Sequence, residues 1–197
     1  LAHSTNYALN KLGYPTHEIE KYNFMVGNGI DKLFERALPE EEKSKENVLR
    51  VRKEFVPYYD IHNADDSRPY PGIPELLSYL QDAGVQIAVA SNKYQAATQK
   101  LVDHYFPEIH FTAVFGQREG VKVKPDPIIV SDILEVAKVA KEEVLYVGDS
   151  GVDMQTAANA GVTACGVTWG FRPRTELEEF NPSYIADTAG EIKKLIL

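Results

Sequence analysis

Two carboxylates four residues apart give this sequence its clearest chemical signal. Asp149 and Asp153 follow the apolar run 144–147 and Gly148. The run predicts a short buried strand, and the Ala-rich segment 154–160 predicts a helix after it. No basic residue lies between the two acids, so they need a shared cation or proton unless they only cap the helix. Taken alone, the pattern leaves metal binding and helix capping open.

Other polar side chains follow neighbouring predicted strands in the same way. Ser91 and Asn92 come directly after the predicted strand 85–90, and a later loop carries Lys122 and Lys124. Because the carboxyl ends of parallel strands meet at one edge of a sheet, we expect these groups to lie near the two acids. A hydroxyl, a lysine and two carboxylates suit a phosphoryl group and Mg²⁺. Each also has a structural alternative, as a helix cap or a surface charge.

The order of the predicted elements indicates an α/β fold. From Tyr70 onward strands alternate with helices, which predicts a Rossmann-like parallel sheet with helices on both faces. The preceding residues, to about 66, show helical patterns without a convincing strand. We expect helices at 1–12, about 15–20, from 30, 39–59, 73–84, 94–105, 128–140, 154–160 and 191–197, and strands at 85–90, 111–115, 144–147, 162–167 and 184–186.

Composition narrows the classes of partner. The 197 residues carry a net charge of −8, which makes nucleic acid an unfavourable partner. The single cysteine, Cys165, lies in an apolar run and is predicted to be a buried structural thiol. No apolar run predicts a membrane span or a signal peptide, so we expect a cytoplasmic protein without a membrane partner. For the oligomeric state we expect a monomer or a homodimer.

Three segments resemble the second, third and fourth motifs of the haloacid dehalogenase-like hydrolase superfamily: 88–93, 124–127 and 147–153. Segments 26–29, 70–72 and 169–172 extend the similarity to its phosphoglycolate phosphatase-like branch. The resemblance implies a core that starts in residues 1–11 and continues in 67–197, with an inserted all-helical cap at 12–66.

The same resemblance implies a Mg²⁺-dependent phosphomonoester hydrolase of a small phosphorylated metabolite, with 2-phosphoglycolate as the foremost substrate. An inorganic pyrophosphatase, or a sugar-phosphate phosphatase or mutase of the same superfamily, is the alternative within this class. A catalytically inactive fragment or binding module is the alternative outside it.

Site roles follow from the resemblance by position. Ser91 would hydrogen-bond the phosphoryl group, and Lys124 would stabilise charge between it and the nucleophile. Asp149 would ligate Mg²⁺, and Asp153 would act through water or from behind the metal. Members of the family with another spacing would align Lys122 instead, but Lys124 directly precedes the Pro-Asp-Pro segment.

Five further residues are candidates for substrate binding: Asn92, Gly27, Asn28, Gly29 and Arg172. The three residues of the Gly-Asn-Gly loop could bring backbone N–H groups to the distal end of a substrate. An ordinary interhelical loop explains them equally well. Arg172 could meet a substrate carboxylate or could be a surface charge.

The superfamily's first motif, Asp-x-Asp-Gly-Thr, does not occur in these 197 residues. Its first Asp attacks phosphorus to form an aspartyl-phosphate, and its second acts as general acid and base. Asp65 and Asp66 follow no predicted strand and do not replace it. We therefore expect a central strand upstream of Leu1, an inactive chain in its absence, and a gap between two strands of the core.

Overall fold

A computed structural model of the chain describes residues 1–196 and divides it into two compact units, 1–67 and 68–197. The first unit is helical, and every strand within the described residues lies in the second. The assignment of residues 1–11 to a core and 12–66 to a cap stays a prediction. Within residues 1–196, no helix combines the length and the apolar character needed to cross a membrane.

The helical unit contains α1 (Ala2–Lys11), α2 (Ile30–Ala37) and α3 (Lys45–His62), with 3₁₀ turns at Ile19–Phe24 and Glu40–Glu42. Its core consists of apolar and aromatic side chains at helical spacing, as an amphipathic pattern requires. The rings of Phe34 and Phe55, both fully buried, meet edge to face with centroids 4.9 Å apart.

Two helix predictions in this unit were wrong. No α-helix forms over 15–20, where the chain instead enters the 3₁₀ turn further on. The predicted helix 39–59 does not begin until Lys45, because the Ser44 side chain accepts a hydrogen bond from the Asn47 N–H at 3.1 Å. That contact is a serine N-cap, which starts a helix where it occurs.

The α/β unit alternates strands and helices. In chain order its elements are α4 (Ile73–Asp82), β1 (Ala88–Tyr94), α5 (Gln95–Tyr105), β2 (Ala113–Gln117), α6 (Ile128–Ala137), β3 (Leu145–Gly148), α7 (Gly151–Ala160), β4 (Thr163–Val167), α8 (Arg174–Glu178), β5 (Tyr184–Ala186) and α9 (Ala189–Ile196). All the strand pairs are parallel, with orders β1–β2 and β3–β4–β5. The predicted α/β class with parallel sheets is confirmed.

Helices cover both faces of the second sheet. Successive strand residues point to opposite faces, and β4 shows this directly. Ala164 belongs to a core with residues of α6, α7 and α8, whereas Cys165 and Val167 belong to a core with residues of α4 and α9. Cys165 is fully buried, as predicted, and burial raises the pKa of its thiol to about 11.

Several boundaries differ from the predictions. β1 begins at Ala88 rather than Val85 and continues through the polar residues 91–93. Its pairing with β2 is regular from Ala88 to Ala90 and resumes only at Tyr94, so residues 91–93 lie in a break of the ladder. This break lets an extended segment carry side chains that are not part of the apolar core.

Elsewhere the differences are smaller. β2 lies two residues later than predicted. α6 ends at Ala137, because Lys138 adopts a left-handed conformation with φ of 56°. The short helix α8 was not predicted at all. The final helix, predicted to reach residue 197, is described as far as Ile196, and Leu197 lies outside the described residues.

The two sheets are separate from each other. No ladder joins β1 to β3 within residues 1–196, although both strands lie in the same compact unit. β3 is an edge strand of its sheet, and Val147, the third of its four residues, is 41% exposed, which is high for an apolar residue of a parallel strand.

Candidate active site

Lys124 connects the ends of the two sheets. Its Nζ donates to the Ala90 carbonyl in β1 at 3.0 Å and to Asp153 Oδ1 in the first turn of α7 at 2.7 Å. Burial by itself would lower the pKa of this ammonium, but the Tyr146 hydroxyl and the Asp153 carboxylate outweigh it and raise the pKa. A lysine that is charged at neutral pH is therefore held where the regular part of β1 ends and where β3 ends.

Lys122 has a different environment. Its side chain is 82% exposed, and its Nζ lies 3.4 Å from Asp126 Oδ2. Of the two lysines that the sequence offered, Lys124 is the one that the structure brings to the two aspartates.

Asn92 explains how Lys124 reaches this position. Its Oδ1 accepts from the Lys124 backbone N–H at 2.8 Å, and its Nδ2 donates to the Lys124 carbonyl at 3.2 Å. The buried amide thus pairs with the backbone of a loop 32 residues away along the chain. Its role in substrate binding stays a prediction, and its observed contacts position the lysine.

The carboxylate of Asp153 has both oxygens engaged. Oδ1 accepts from Lys124 and, at 3.3 Å, from the Tyr146 hydroxyl; Oδ2 accepts from Ser150 Oγ at 2.6 Å and from the Asp149 N–H at 3.3 Å. Burial opposes the charged form, but the Lys124 ammonium and the Ser150 hydroxyl outweigh it and lower the pKa. Asp153 is held as a carboxylate that orients Lys124.

Tyr146 and Gly148 are parts of this arrangement that sequence reasoning missed. Tyr146 counted only as an apolar strand residue, yet its buried hydroxyl contacts Asp153, and burial raises its pKa to about 12. A Cβ at Gly148 would lie 2.2 Å from the Asp153 Cβ, so the close packing of this carboxylate requires glycine there. The spacing of Gly148 and Asp153 along the chain was the available signal.

Asp149 lies beside the Lys124–Asp153 pair, and its carboxylate accepts fewer hydrogen bonds than that of Asp153. Its Oδ2 accepts from the Phe171 N–H at 2.8 Å, while its Oδ1 accepts no hydrogen bond from another residue within 1–196. Burial is the main cause that raises its pKa above the ordinary range. Asp149 therefore presents one carboxylate oxygen that could bind a cation.

Ser91 lies at the end of the regular part of β1. It follows Ala90, whose carbonyl accepts from Lys124, and its Oγ accepts from the Lys93 N–H at 3.1 Å. This contact leaves the hydroxyl hydrogen of Ser91 for another acceptor. Its proposed contact with a phosphoryl group stays a prediction.

Arg172 is connected to the start of α7. Its Nε lies 3.2 Å from Glu176 Oε2, and Glu176 Oε1 accepts from the Gly151 N–H at 3.0 Å. The arginine side chain is only 11% exposed, so it is no ordinary surface charge. Contact with a substrate stays a prediction.

The Gly-Asn-Gly loop belongs to the helical unit. Gly27 and Gly29 have φ of 115° and 86°, a conformation that favours glycine. Asn28 Oδ1 accepts from Arg36 at 2.8 Å, and the same guanidinium donates to the Met25 carbonyl at 2.8 Å. The loop is thus held by its own unit, and its role in binding stays a prediction.

The chemistry of the donor set fits Mg²⁺ in one specific way. No three acidic, histidine or cysteine side chains converge within residues 1–196. Mg²⁺ does not need such a cage, since it binds through one or two carboxylates together with phosphate oxygens and water. The open oxygen of Asp149 meets that requirement, whereas both oxygens of Asp153 already have donors.

Comparison with known proteins identifies the class. A family model of haloacid dehalogenase-like hydrolases matches residues 1–167, and the chain belongs to this family. A phosphoglycolate phosphatase of Vibrio parahaemolyticus is 29% identical over the whole chain and 88% of its own length. One from Mesorhizobium japonicum is 30% identical over 94% of the chain and 82% of its own length. These relatives support the phosphoglycolate phosphatase-like branch and a phosphatase of this family.

A solved structure agrees with this assignment. A candidate phosphoglycolate phosphatase from Lactobacillus delbrueckii subsp. bulgaricus superimposes with a TM-score of 0.92 and 31% identity. The match covers all of this chain and 90% of that one. The similarity therefore includes both compact units and is not confined to the motifs.

Proposed function

We propose that this chain carries the phosphate- and metal-binding residues of a Mg²⁺-dependent phosphomonoester hydrolase that acts on a small phosphorylated metabolite. One observation carries the proposal. The buried Lys124–Asp153 pair lies where the regular part of β1 and the strand β3 end, next to the open oxygen of Asp149. Cations fixed in a poorly solvated site stabilise the charge that develops on a transferring phosphoryl group.

Each residue has a stated part in that chemistry. Asp149 would hold Mg²⁺, which when bound supplies charge neutralisation at the phosphoryl oxygens. Lys124, which Asp153 and the Ala90 carbonyl keep in place, would neutralise a second oxygen of the phosphoryl group. Ser91 would donate its hydroxyl hydrogen to the third phosphoryl oxygen. Asn92 would hold the backbone of the Lys124 loop in its position.

The nucleophile in this proposal is an aspartate outside the 197 residues. It would form an aspartyl-phosphate that water then hydrolyses, with a second carboxylate as general acid and base. The separation of β1 from β3 supports an additional strand between them, whose end would face Lys124. Without that strand we expect the 197-residue chain to bind phosphate without turnover, which is the inactive binding module considered above.

The names of the relatives support 2-phosphoglycolate as the first substrate to assay. Pyrophosphate and sugar phosphates are the comparison substrates, because the alternatives within the superfamily act on them. A screen of the native protein with these three classes, with Mg²⁺ and after chelation with EDTA, ranks them by kcat/KM.

Asp149→Ala tests the proposal in the same assay. We expect kcat to fall by about 10²–10³-fold or more, the usual effect of removing one preorganised electrostatic group. Asp103→Ala, which changes an exposed acid on α5, is the control and should leave the rate unchanged. Near wild-type turnover in Asp149→Ala would refute the metal role, and full activity of the 197-residue chain would refute an external nucleophile.

A further inference from the structure

We propose that the backbone amide of Phe171 is a positioning group for the metal ligand Asp149, and that Gly170 is the residue that permits this contact. The inference rests on the proposed function, since it concerns how Asp149 is prepared for a cation. The resemblance gave segment 169–172 only as a similarity of sequence, with Arg172 as a candidate for substrate binding, and assigned no role to Gly170 or Phe171.

The geometry around Gly170 is unusually close. The Phe171 N–H donates to Asp149 Oδ2 at 2.8 Å. A Cβ on Gly170 would lie 2.2 Å from both the Cβ and the Oδ2 of Asp149. Real Cβ atoms almost never lie closer than 3.0 Å to a non-bonded atom, so the two groups could not stay in place. Any larger residue at 170 must therefore displace either the loop or the Asp149 side chain, and either shift disturbs the contact between them.

The loop is anchored independently of Asp149. At its start, the Thr168 hydroxyl donates to Asp187 Oδ1 at 2.7 Å and the Thr168 N–H donates to the Ala186 carbonyl at 3.1 Å. Toward its end, Arg172 pairs with Glu176, which also accepts from the N-terminus of α7. The amide of Phe171 is thus presented to Asp149 by contacts on both sides.

A fixed carboxylate binds a cation better than a mobile one. The Phe171 amide donates to Oδ2, which leaves Oδ1 as the oxygen without a hydrogen bond from another residue within 1–196 and so the better placed one for the metal. Hydrogen bonds from an N–H to a charged carboxylate are stronger than neutral ones and restrict its rotation. Loss of such an outer partner typically weakens metal affinity by about 10–100-fold.

Metal affinity can be measured without turnover. Electron paramagnetic resonance reports free Mn²⁺ directly, and the emission of Trp169 gives a second signal, since it is the chain's single tryptophan and adjoins Gly170. Phe171→Pro removes the N–H, and Phe171→Ala, which loses the ring but keeps the N–H, is its reference. Gly170→Ala forces the loop and the Asp149 side chain apart. Gly190→Ala on α9 is its control, because a Cβ there meets only Thr188 Oγ1 at 3.8 Å.

We expect Phe171→Pro to bind Mn²⁺ about 10–100-fold more weakly than Phe171→Ala, and Gly170→Ala to weaken similarly while Gly190→Ala does not. Circular dichroism and thermal melting check the fold, and Gly170→Ala decides the question if the proline variant does not fold. Equal Mn²⁺ affinity in Phe171→Pro and Phe171→Ala, or in Gly170→Ala and Gly190→Ala, overturns the inference alone. A wild-type protein that binds no Mn²⁺ overturns the proposed metal role as well, so the two failures are distinguishable.

Discussion

The helical unit and the α/β unit bury different kinds of side chain. In residues 1–67 the fully buried large side chains are mostly apolar, such as Leu9, Phe34 and Phe55. Ion pairs there lie at the surface; in Lys32–Glu35 the side chains are 58% and 45% exposed. In residues 68–196 the Lys124–Asp153 pair has side chains only 10% and 9% exposed.

The difference indicates where the chemistry lies. Apolar burial stabilises a fold directly, whereas desolvation of two charges can outweigh their attraction. A buried ion pair is therefore weak support for stability, and its presence needs another reason. In the α/β unit the reason we propose is the phosphate site, since the same pair lies where the regular part of β1 and the strand β3 end.

The largest expected effect comes from breaking that pair. Lys124→Met should lower the free energy of unfolding by about 3–5 kcal/mol at pH 7, because Asp153 is left buried without its partner. Lys122→Met, two residues away and exposed, should change it by less than about 0.5 kcal/mol. Urea unfolding followed by Trp169 emission reports on this unit. Equal effects of the two substitutions would show that the buried pair of the α/β unit contributes no more to stability than an exposed one.

A smaller effect should depend on pH. Burial lowers the pKa of Lys93, in β1, from 10.5 to about 8. The unfolded chain therefore binds this proton more tightly than the folded chain does. The free energy of unfolding should rise with pH between about 8 and 10.5, and below pH 8 the folded protein is destabilised by the full cost of burying the charged lysine. At about 1.36 kcal/mol per pH unit, the penalty is about 3 kcal/mol.

Lys93→Gln should accordingly be more stable than the wild type at pH 7 by up to about 3 kcal/mol, and this advantage should shrink towards pH 10.5. The urea midpoints of the variant and the wild type at pH 7 and at pH 10.5 measure this difference in stability, with Lys122→Gln as the exposed control. An advantage of the same size at both pH values would contradict a buried, titrating Lys93.

The smallest expected difference, about 1–3 kcal/mol, is between serine caps in the two units. Ser44 and Ser150 both cap helices, but Ser150 also donates to Asp153 Oδ2 at 2.6 Å. Ser44→Ala should cost about 1 kcal/mol, the usual value for a lost N-cap. Ser150→Ala should cost about 1–3 kcal/mol more, since a buried carboxylate loses a donor. Far-UV circular dichroism during urea unfolding measures both, and equal costs would show that the Asp153 contact adds nothing.

Sequence patterns determined the order of strands and helices in the α/β unit, apart from the short helix α8. Apolar runs and turn residues are local signals, and they were enough to place Asp149 directly after a strand of a parallel sheet. They also placed Ser91 after a strand, whereas it lies within β1. They were weaker in the helical unit, where the serine cap at Ser44 was overlooked among charged residues. The resemblance to a known superfamily added the roles, which periodicity alone does not supply.

Only the tertiary structure decided which side chains meet. Lys122 and Lys124 are the same residue type two positions apart, and burial distinguishes them. The pairing of Asn92 with Lys124 spans 32 residues, and the contact of Phe171 with Asp149 spans 22. Local periodicity records which face of an element is apolar, but partners across such distances are fixed only when packing brings the elements together.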